Sequence, residues 1–244
     1  MKVVAIIPAR YESSRFEGKP LANICGYPMV WWTYQQVKKC KKIDKVIIAT
    51  DDERIEKECK NLELDVVMTS KKHKMMLERI HEVSKKVNAD IYLSIAGDEP
   101  LIEPEVIEKL IDNYEKGDKV INLRTIILEP KDVVNNTTMK VVTDKDGYAL
   151  YASRSPIPYP KASLEFDYYK HMGMYALTNE ALDFFAKNKR GLLESIEDFD
   201  LLRFLENGMK VKIIDVNSKT VSVDTRKDLK RVSEIIEKNI KIQK

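Results

Sequence analysis

The sequence predicts an α/β fold: a Rossmann-like three-layer sandwich around a mixed, mostly parallel sheet, with a small antiparallel insertion. Three observations carry this expectation. From Lys2 to Gly117 short β-branched runs alternate with longer helical runs. The strand-like runs are apolar throughout, as strands covered on both faces should be. After residue 119 the pattern changes to successive strands joined by turn signals, which marks an antiparallel segment of about 119–175 within a single domain spanning 1–244.

The elements follow in order. "KVVAIIP" reads as the first strand, and "PMVWWTYQQVKKC" as a helix with Pro28 in its first turn. "DKVIIAT" is a strand, and "DDERIEKECKN" a helix capped by Asp51 or Asp52. "LDVVMT" is a strand. In "KMMLERIHEVSKKV", Met76, Ile80, Val83 and Val87 recur at helical spacing. "ADIYLSIA" is a strand, and "PEVIEKLIDNYEKG" a helix with Pro104 near its start and Gly117 after its end. In the second half "DKVINLRTIIL", "TMKVVTD", "YALYASR", "HMGMYAL" and "KVKIIDV" read as strands, with a hairpin turn at "TDKDGYA". "NEALDFFAKN" and "LLESIEDFDLLRFLENG" read as helices. The last helix runs from about Thr225 to Lys241, with Leu229, Val232, Ile236 and Ile240 on one stripe.

Composition narrows the function. Of 244 residues, 43% are apolar, enough for a sizeable core. Lys and Arg total 42 against 39 Asp and Glu, so a net charge of +3 gives no general case for nucleic acid or an anionic membrane. Cys25, Cys40 and Cys59 lack CxxC spacing and read as free thiols in a reducing compartment. No stretch approaches the ~20 apolar residues of a membrane span. A soluble cytoplasmic protein is expected.

Three strand ends carry candidate chemistry. In doubly wound folds ligands sit at the carboxyl ends of strands. There "IIPARYESSRFEGKP" follows the first strand through Pro8 and Ala9 and offers Arg10, Ser13, Ser14, Arg15 and Lys19. These groups suit a triphosphate held by charge and hydroxyl contacts. No GxGxxG occurs, and Gly18-Lys19 is followed by Pro20, so neither a dinucleotide fingerprint nor a Walker loop is present. A solvated basic turn is the alternative. In "AGDEPLI", Gly97 lets the chain turn sharply, and Asp98 at the strand end suits Mg²⁺ beside a nucleotide phosphate; an ordinary acidic turn is the alternative. Asp224, in "VSVDTRKDL", gains weight as a metal ligand only if it meets Asp98, and otherwise simply favours the N-terminus of the last helix. Thr225 and Asp228 form a variant capping box there. Arg154, His171, Tyr175, Glu197 and Arg203 are candidates for meeting an acidic, hydroxyl-rich substrate. Taken singly, each reads more readily as structural.

Taken in order, "IIPARYESSRFEGKPL", "PMVWW", "VIIATDDERI", "GDEPLI", "MKVVTDKDGYALYASRSPIPY", "KHMGMYAL", "LESIEDFDLLR" and "SVDTRKDLKRV" resemble the 3-deoxy-manno-octulosonate (Kdo) cytidylyltransferases over nearly the whole chain. The resemblance implies a dimer and Mg²⁺-dependent transfer of CMP from CTP to an anomeric hydroxyl. It implies that Arg10, Ser13 and Lys19 hold the phosphates and that Asp98 and Asp224 hold metal. It also implies that Arg154, His171, Tyr175 and Arg203 line the sugar-acid pocket, with Arg79 and Gly97 on the nucleotide side. The chain departs from the family at recognition positions. Met75, Met76 and Leu77 stand in "HKMMLER" where the family reads HxSGTER, and Ala96 stands for Gln in QGDEP. Asp200 and Leu201 stand for Glu and Gln, and Glu17 for Pro. These departures leave open another acceptor (a different sugar acid, a sugar phosphate or a phosphonate), another base, or a silent nucleotide-binding homologue.

Overall fold

The computed structural model describes residues 1–12, 16–218 and 220–242. Strand β1 (Val3–Ala9) is buried along almost its whole length. A 3-10 turn at Lys19–Leu21 and the small β2 (Asn23–Ile24) and β3 (Tyr27–Pro28) hairpin follow, then helix α1 (Met29–Lys38). Next come β4 (Lys45–Thr50), α2 (Glu53–Asn61), β5 (Val66–Met68), α3 (Met76–Ser84), β6 (Ile91–Ile95) and α4 (Pro104–Asp112). The rest of the chain forms β7 (Val120–Ile126), α5 (Pro130–Val134), β8 (Lys140–Thr143), β9 (Ala149–Ser153), β10 (Tyr169–Leu177), α6 (Asn179–Lys187), α7 (Leu192–Glu197), α8 (Leu201–Glu206), β11 (Lys212–Asp215) and α9 (Arg226–Ile242).

Backbone contacts divide these elements into two compact units, Met1–Glu108 with Lys219–Lys244, and Lys109–Ser218. In the first, strands lie in the order β6-β1-β4-β5, all parallel. The apolar runs of β1, β4 and β6 are buried accordingly. In the second, β7 lies between a parallel β11 and an antiparallel β10, and β8 pairs antiparallel with β9 and β10. The antiparallel segment expected at 119–175 falls within this second unit.

The last helix returns to the first unit. Its Val232 and Ile236 join Phe16, Ile24, Met29 and Val223 in one apolar cluster. Thr225 and Asp228 form the expected reciprocal cap: the Thr225 N–H donates to Asp228 Oδ2 at 2.8 Å, and the Asp228 N–H to Thr225 Oγ1 at 3.3 Å. Asp52 caps α2 by accepting from the Arg54 N–H at 2.9 Å, which leaves Asp51 for another partner.

Three sequence expectations change. "LESIEDFDLLR" is not one helix: α7 and α8 are separated at Asp198, which adopts a left-handed φ of 51°. The helix beginning at Pro104 ends at Asp112, short of Gly117. Gly97 is not required by a left-handed turn. A Cβ there would lie 2.7 Å from the Pro8 carbonyl oxygen, so the position demands close backbone approach. Gly97→Ala must push the ends of β1 and β6 apart. The expected loss is about 1–3 kcal/mol in denaturant unfolding, the usual cost of overpacking. An unchanged midpoint would show that the contact relaxes freely.

Candidate active site

In the first unit the site is built from strand ends. β1 and β6 run side by side in parallel register, Ile6 opposite Ser94, so the loops that follow them emerge together. The loop after β1 is closed where the Gly18 N–H donates to the Tyr11 carbonyl at 2.8 Å. Gly18 there takes a φ of 69°, which a side chain would strain. Phe16 anchors the loop in the core, and Arg54 lies over the Tyr11 ring, Cζ to centroid 3.3 Å. Lys19 then opens the 3-10 turn and reaches Asp98: Nζ to Oδ2 is 2.6 Å, with the two side chains 16% and 27% exposed.

Asp98 is also held through its backbone. Its carbonyl accepts from the Val223 N–H at 2.9 Å, which places Asp224 next along the chain from that bond. The Gly97 carbonyl accepts from Thr33 Oγ1 at 3.1 Å, so buried α1 supports the turn. Lys19, Asp98 and the approach to Asp224 are therefore brought together. Among the described residues no cluster of three or more His, Cys, Asp or Glu is arranged to hold a metal ion. Magnesium beside phosphates commonly uses only one or two carboxylates. Asp98, whose Oδ2 meets Lys19, is a carboxylate of the kind such an ion takes.

The other nucleotide candidates divide. Arg10 is exposed, its Nη1 donating to the Lys74 carbonyl at 3.3 Å, and it lines a small cavity of about 100 Å³ with Tyr11, Asp51, Asp52, Lys71 and His73. Pro8 and Ala9 end β1. Ser13, Ser14 and Arg15 lie outside the described residues. Arg79 is committed within the fold. It is 1% exposed, and its guanidinium is committed to Asp51 at 2.7 Å and to the Thr69 hydroxyl. It ties α3 to the ends of β4 and β5. The larger cavity, about 460 Å³, lies in the second unit among Lys119, Tyr148, Glu180, Phe184 and Lys210, and touches none of the expected site residues.

The acceptor candidates all belong to the second unit. His171 Nε2 lies 3.1 Å from the Tyr175 hydroxyl, although residues four apart in a regular strand are separated by about 13 Å. A break in register with β7 between His171 and Tyr175 draws them together. Asn122 spans the break, its Nδ2 donating to the Met172 carbonyl at 3.0 Å and the Met174 carbonyl at 2.5 Å. Burial pushes the His171 imidazolium down to about 3 and pushes the Tyr175 phenol well up, with Asp200 adding to the latter. Both groups are neutral near pH 7.

Arg154 and Glu197 meet. Ser153 Oγ donates to Glu197 Oε1 at 2.5 Å and the Arg154 N–H to Oε2 at 2.9 Å. The Arg154 guanidinium donates to the carbonyls of Glu197 at 2.8 Å and Asn136 at 3.0 Å. Lys140, wholly buried, donates to the carbonyls of Asn135, Thr138 and Arg154, and burial pushes its ammonium down. Arg203 is likewise committed within the fold. It is 4% exposed, forks onto both Glu194 oxygens at 2.7 Å, and lies 3.8 Å from the Phe185 ring centre, so it braces a core. Sequence reasoning missed Asn122, Lys140 and Thr33. Their roles depend on partners distant in the chain, and nothing local signals them.

The fold is shared with an inositol-1-phosphate CTP transferase from T. maritima, on which the chain superposes with a TM-score of 0.69 at 16% identity, over 96% of this chain and 95% of that one. Residues 4–213 match the cytidylyltransferase family, and the chain belongs to it. It is 42% identical to the 3-deoxy-manno-octulosonate cytidylyltransferase of Fusobacterium nucleatum, over 99% of this chain and 100% of that relative. The mitochondrial 3-deoxy-manno-octulosonate cytidylyltransferase of Arabidopsis thaliana is 38% identical, over 96% of this chain and 83% of that relative. The solved structure of CMP:2-keto-3-deoxy-manno-octonic acid synthetase complexed with CTP superposes with a TM-score of 0.92 at 34% identity, covering 98% and 100% of the two chains.

Two outcomes test this geometry. Arg203→Met leaves the buried Glu194 without its fork and should cost about 3–5 kcal/mol in denaturant unfolding, with Arg203→Met/Glu194→Leu recovering most of it. A raised KM for the acceptor at unchanged stability would restore Arg203 as a contact. The second concerns pH. The folded His171 titrates at about 3 against an ordinary 6.5, so the unfolded chain binds more protons between those values. Its contribution to stability is complete above the unfolded value and is lost as pH falls towards the folded one. For Glu82, burial pushes the carboxyl up but Lys86, the Ser70 N–H and His73 outweigh it, bringing it from 4.5 to about 2. Its contribution is lost only at lower pH. Between about pH 7 and 5 the melting temperature of the wild type should therefore fall more steeply than that of His171→Gln. Parallel slopes would show His171 to be solvated.

Proposed function

We propose that the protein transfers CMP from CTP to the anomeric hydroxyl of a Kdo-like 3-deoxy sugar acid, releasing pyrophosphate and depending on Mg²⁺. One observation carries the reading. The basic loop after β1 and the carboxylate after β6 converge, Lys19 on Asp98 at 2.6 Å, where the backbone also brings in Asp224. The relatives named for this activity support the nucleotide and the acceptor class.

The acceptor oxygen attacks the α-phosphorus, the bond from phosphorus to the bridging oxygen breaks, and the hydroxyl proton leaves to solvent. No side chain need form a covalent bond, so rate comes from positioning and from charge placed where charge develops. Asp98 and Asp224 would hold Mg²⁺, which supplies neutralisation of phosphate charge and a lowered pKa for the attacking hydroxyl. Lys19, rooted by Gly18 and Phe16, and Arg10 would take charge on the leaving pyrophosphate. Ser13, Ser14 and Arg15 would complete the phosphate contacts. The neutral His171–Tyr175 pair would hydrogen-bond the acceptor's hydroxyls. The proposed enzyme is a cytoplasmic homodimer.

A second reading keeps the chemistry and changes the acceptor or base. Leu77, at the place of the family's threonine, is wholly buried, and Ala96 offers no amide, so groups used for recognition elsewhere are missing here. A pyrophosphate-release screen crossing four nucleoside triphosphates with several ulosonic acids, sugar phosphates and phosphonates decides between them. CTP with Kdo is the expected best pair, and release with another acceptor alone would favour the second reading. Within the active pair, Asp98→Ala should lose on the order of 10²–10³ in turnover. Near-normal turnover at saturating Mg²⁺ would remove Asp98 from the machinery.

A further inference from the structure

Asp98 and Glu99 are neighbours in one acidic turn, yet they face different partners. Asp98 meets Lys19. Glu99 is 5% exposed, and its two oxygens accept from two hydroxyls of one distant segment: Thr220 Oγ1 to Oε2 at 2.7 Å, and Ser222 Oγ to Oε1 at 2.6 Å. That segment, 220–223, lies outside regular secondary structure. It ends in Val223, whose side chain is fully buried and whose N–H donates to the Asp98 carbonyl. The next residue is Asp224.

We infer that Glu99 is a positioning residue that clamps the 220–223 segment against the turn after β6 and so sets the place of Asp224 beside Asp98. A segment without a ladder of its own must take its position from side chains and from isolated backbone bonds. Two charge-assisted hydrogen bonds from alternate residues fix both its distance and its direction along the turn. Val221 and Val223 pack into the cluster that also holds Phe16, so the clamp and the apolar contact act on the same stretch. The chemistry predicts which replacement is tolerated. Glutamine keeps a carbonyl oxygen for one hydroxyl and offers an amide donor to the other, which a hydroxyl can accept. Alanine offers neither. A carboxylate that touched metal or substrate directly would not be replaced by an amide.

The inference deepens the proposed reaction and rests on that reading only where Mg²⁺ enters. The test compares the full-length wild type with Glu99→Gln, Glu99→Ala and Thr220→Val/Ser222→Ala. Hydrogen exchange at the Val223 amide reads the clamp without turnover. Glu99→Ala and the double variant should each lose protection by about tenfold or more, while Glu99→Gln stays within about threefold. The Mg²⁺ concentration giving half-maximal pyrophosphate release should rise about tenfold in the same two variants and stay near wild type in Glu99→Gln. Unchanged Val223 protection in the alanine or double variant would overturn the inference. So would a Glu99→Gln loss as large as that of Asp98→Ala, because the carboxylate would then act directly. If the wild type releases no pyrophosphate, the proposed reaction fails while the exchange result still decides the clamp. If Glu99→Ala does not fold, the glutamine and double variants carry the comparison.

Discussion

The first unit depends on how closely the backbone of Gly97 lies against the Pro8 carbonyl. Parallel register already puts the ends of β1 and β6 level. The absence of a side chain at Gly97 lets them touch, because even a methyl would sit 2.7 Å from that oxygen. Everything nearby then follows. Thr33 can reach the Gly97 carbonyl from α1, Asp98 falls within the span of a lysine rooted at the 3-10 turn, and its carbonyl is presented to Val223. A glycine-rich phosphate loop works through bare N–H groups. Here the contacts are side chains, whose rotamer freedom would cost affinity. Buried Phe16 and the left-handed Gly18 fix the loop from which Lys19 extends, and so limit that cost.

In both units long cations act as struts. Arg79 joins Asp51 and Thr69, and Arg203 forks onto Glu194, each almost wholly buried. Burying a guanidinium is tolerable only when its charge and its donors are met. A matched strut of this kind gives directional bonds between the elements it joins. The same commitment removes the group from solvent and from ligand. A motif arginine therefore has two outcomes with one residue type, and burial decides between them.

That distinction marks what could be read from the sequence. Strand–helix alternation was legible because apolar periodicity is a local property, and the caps at Asp52 and Thr225 were legible because their partners lie within three residues. Lys19 and Asp98 were legible as neighbours because each lies in a loop that follows a strand-like run. Asp224 joined them only through the resemblance, and the strand end expected there does not form: residues 220–223 lie outside regular secondary structure. The break at Asp198 was not, since an aspartate in a left-handed conformation leaves no glycine to mark it. The bend in β10 was hidden for another reason: it is held by Asn122 on a different strand, and its consequence, the meeting of His171 with Tyr175, contradicts simple strand spacing. Gly97 was singled out for a turn, whereas the cause is a contact with a residue 89 positions away.

The charges around the acceptor candidates constrain how a sugar acid would be held. His171 is kept neutral by burial and Tyr175 keeps its proton, so this pair can order hydroxyls but cannot balance a carboxylate. Arg203 has its charge matched by Glu194. Arg154 differs. Its guanidinium meets the carbonyls of Glu197, Asn136 and Asp198, which orient it without cancelling its charge, while the Glu197 carboxylate is turned to Ser153 and the Arg154 N–H. Beneath it Lys140 fixes the Arg154 carbonyl. Among the predicted acceptor residues, Arg154 is thus the cation whose charge no carboxylate of the described residues takes up, and its backbone is braced from two sides. In the proposed reaction an acidic acceptor would find its counter-charge there, with the neutral pair left to read the sugar's hydroxyls.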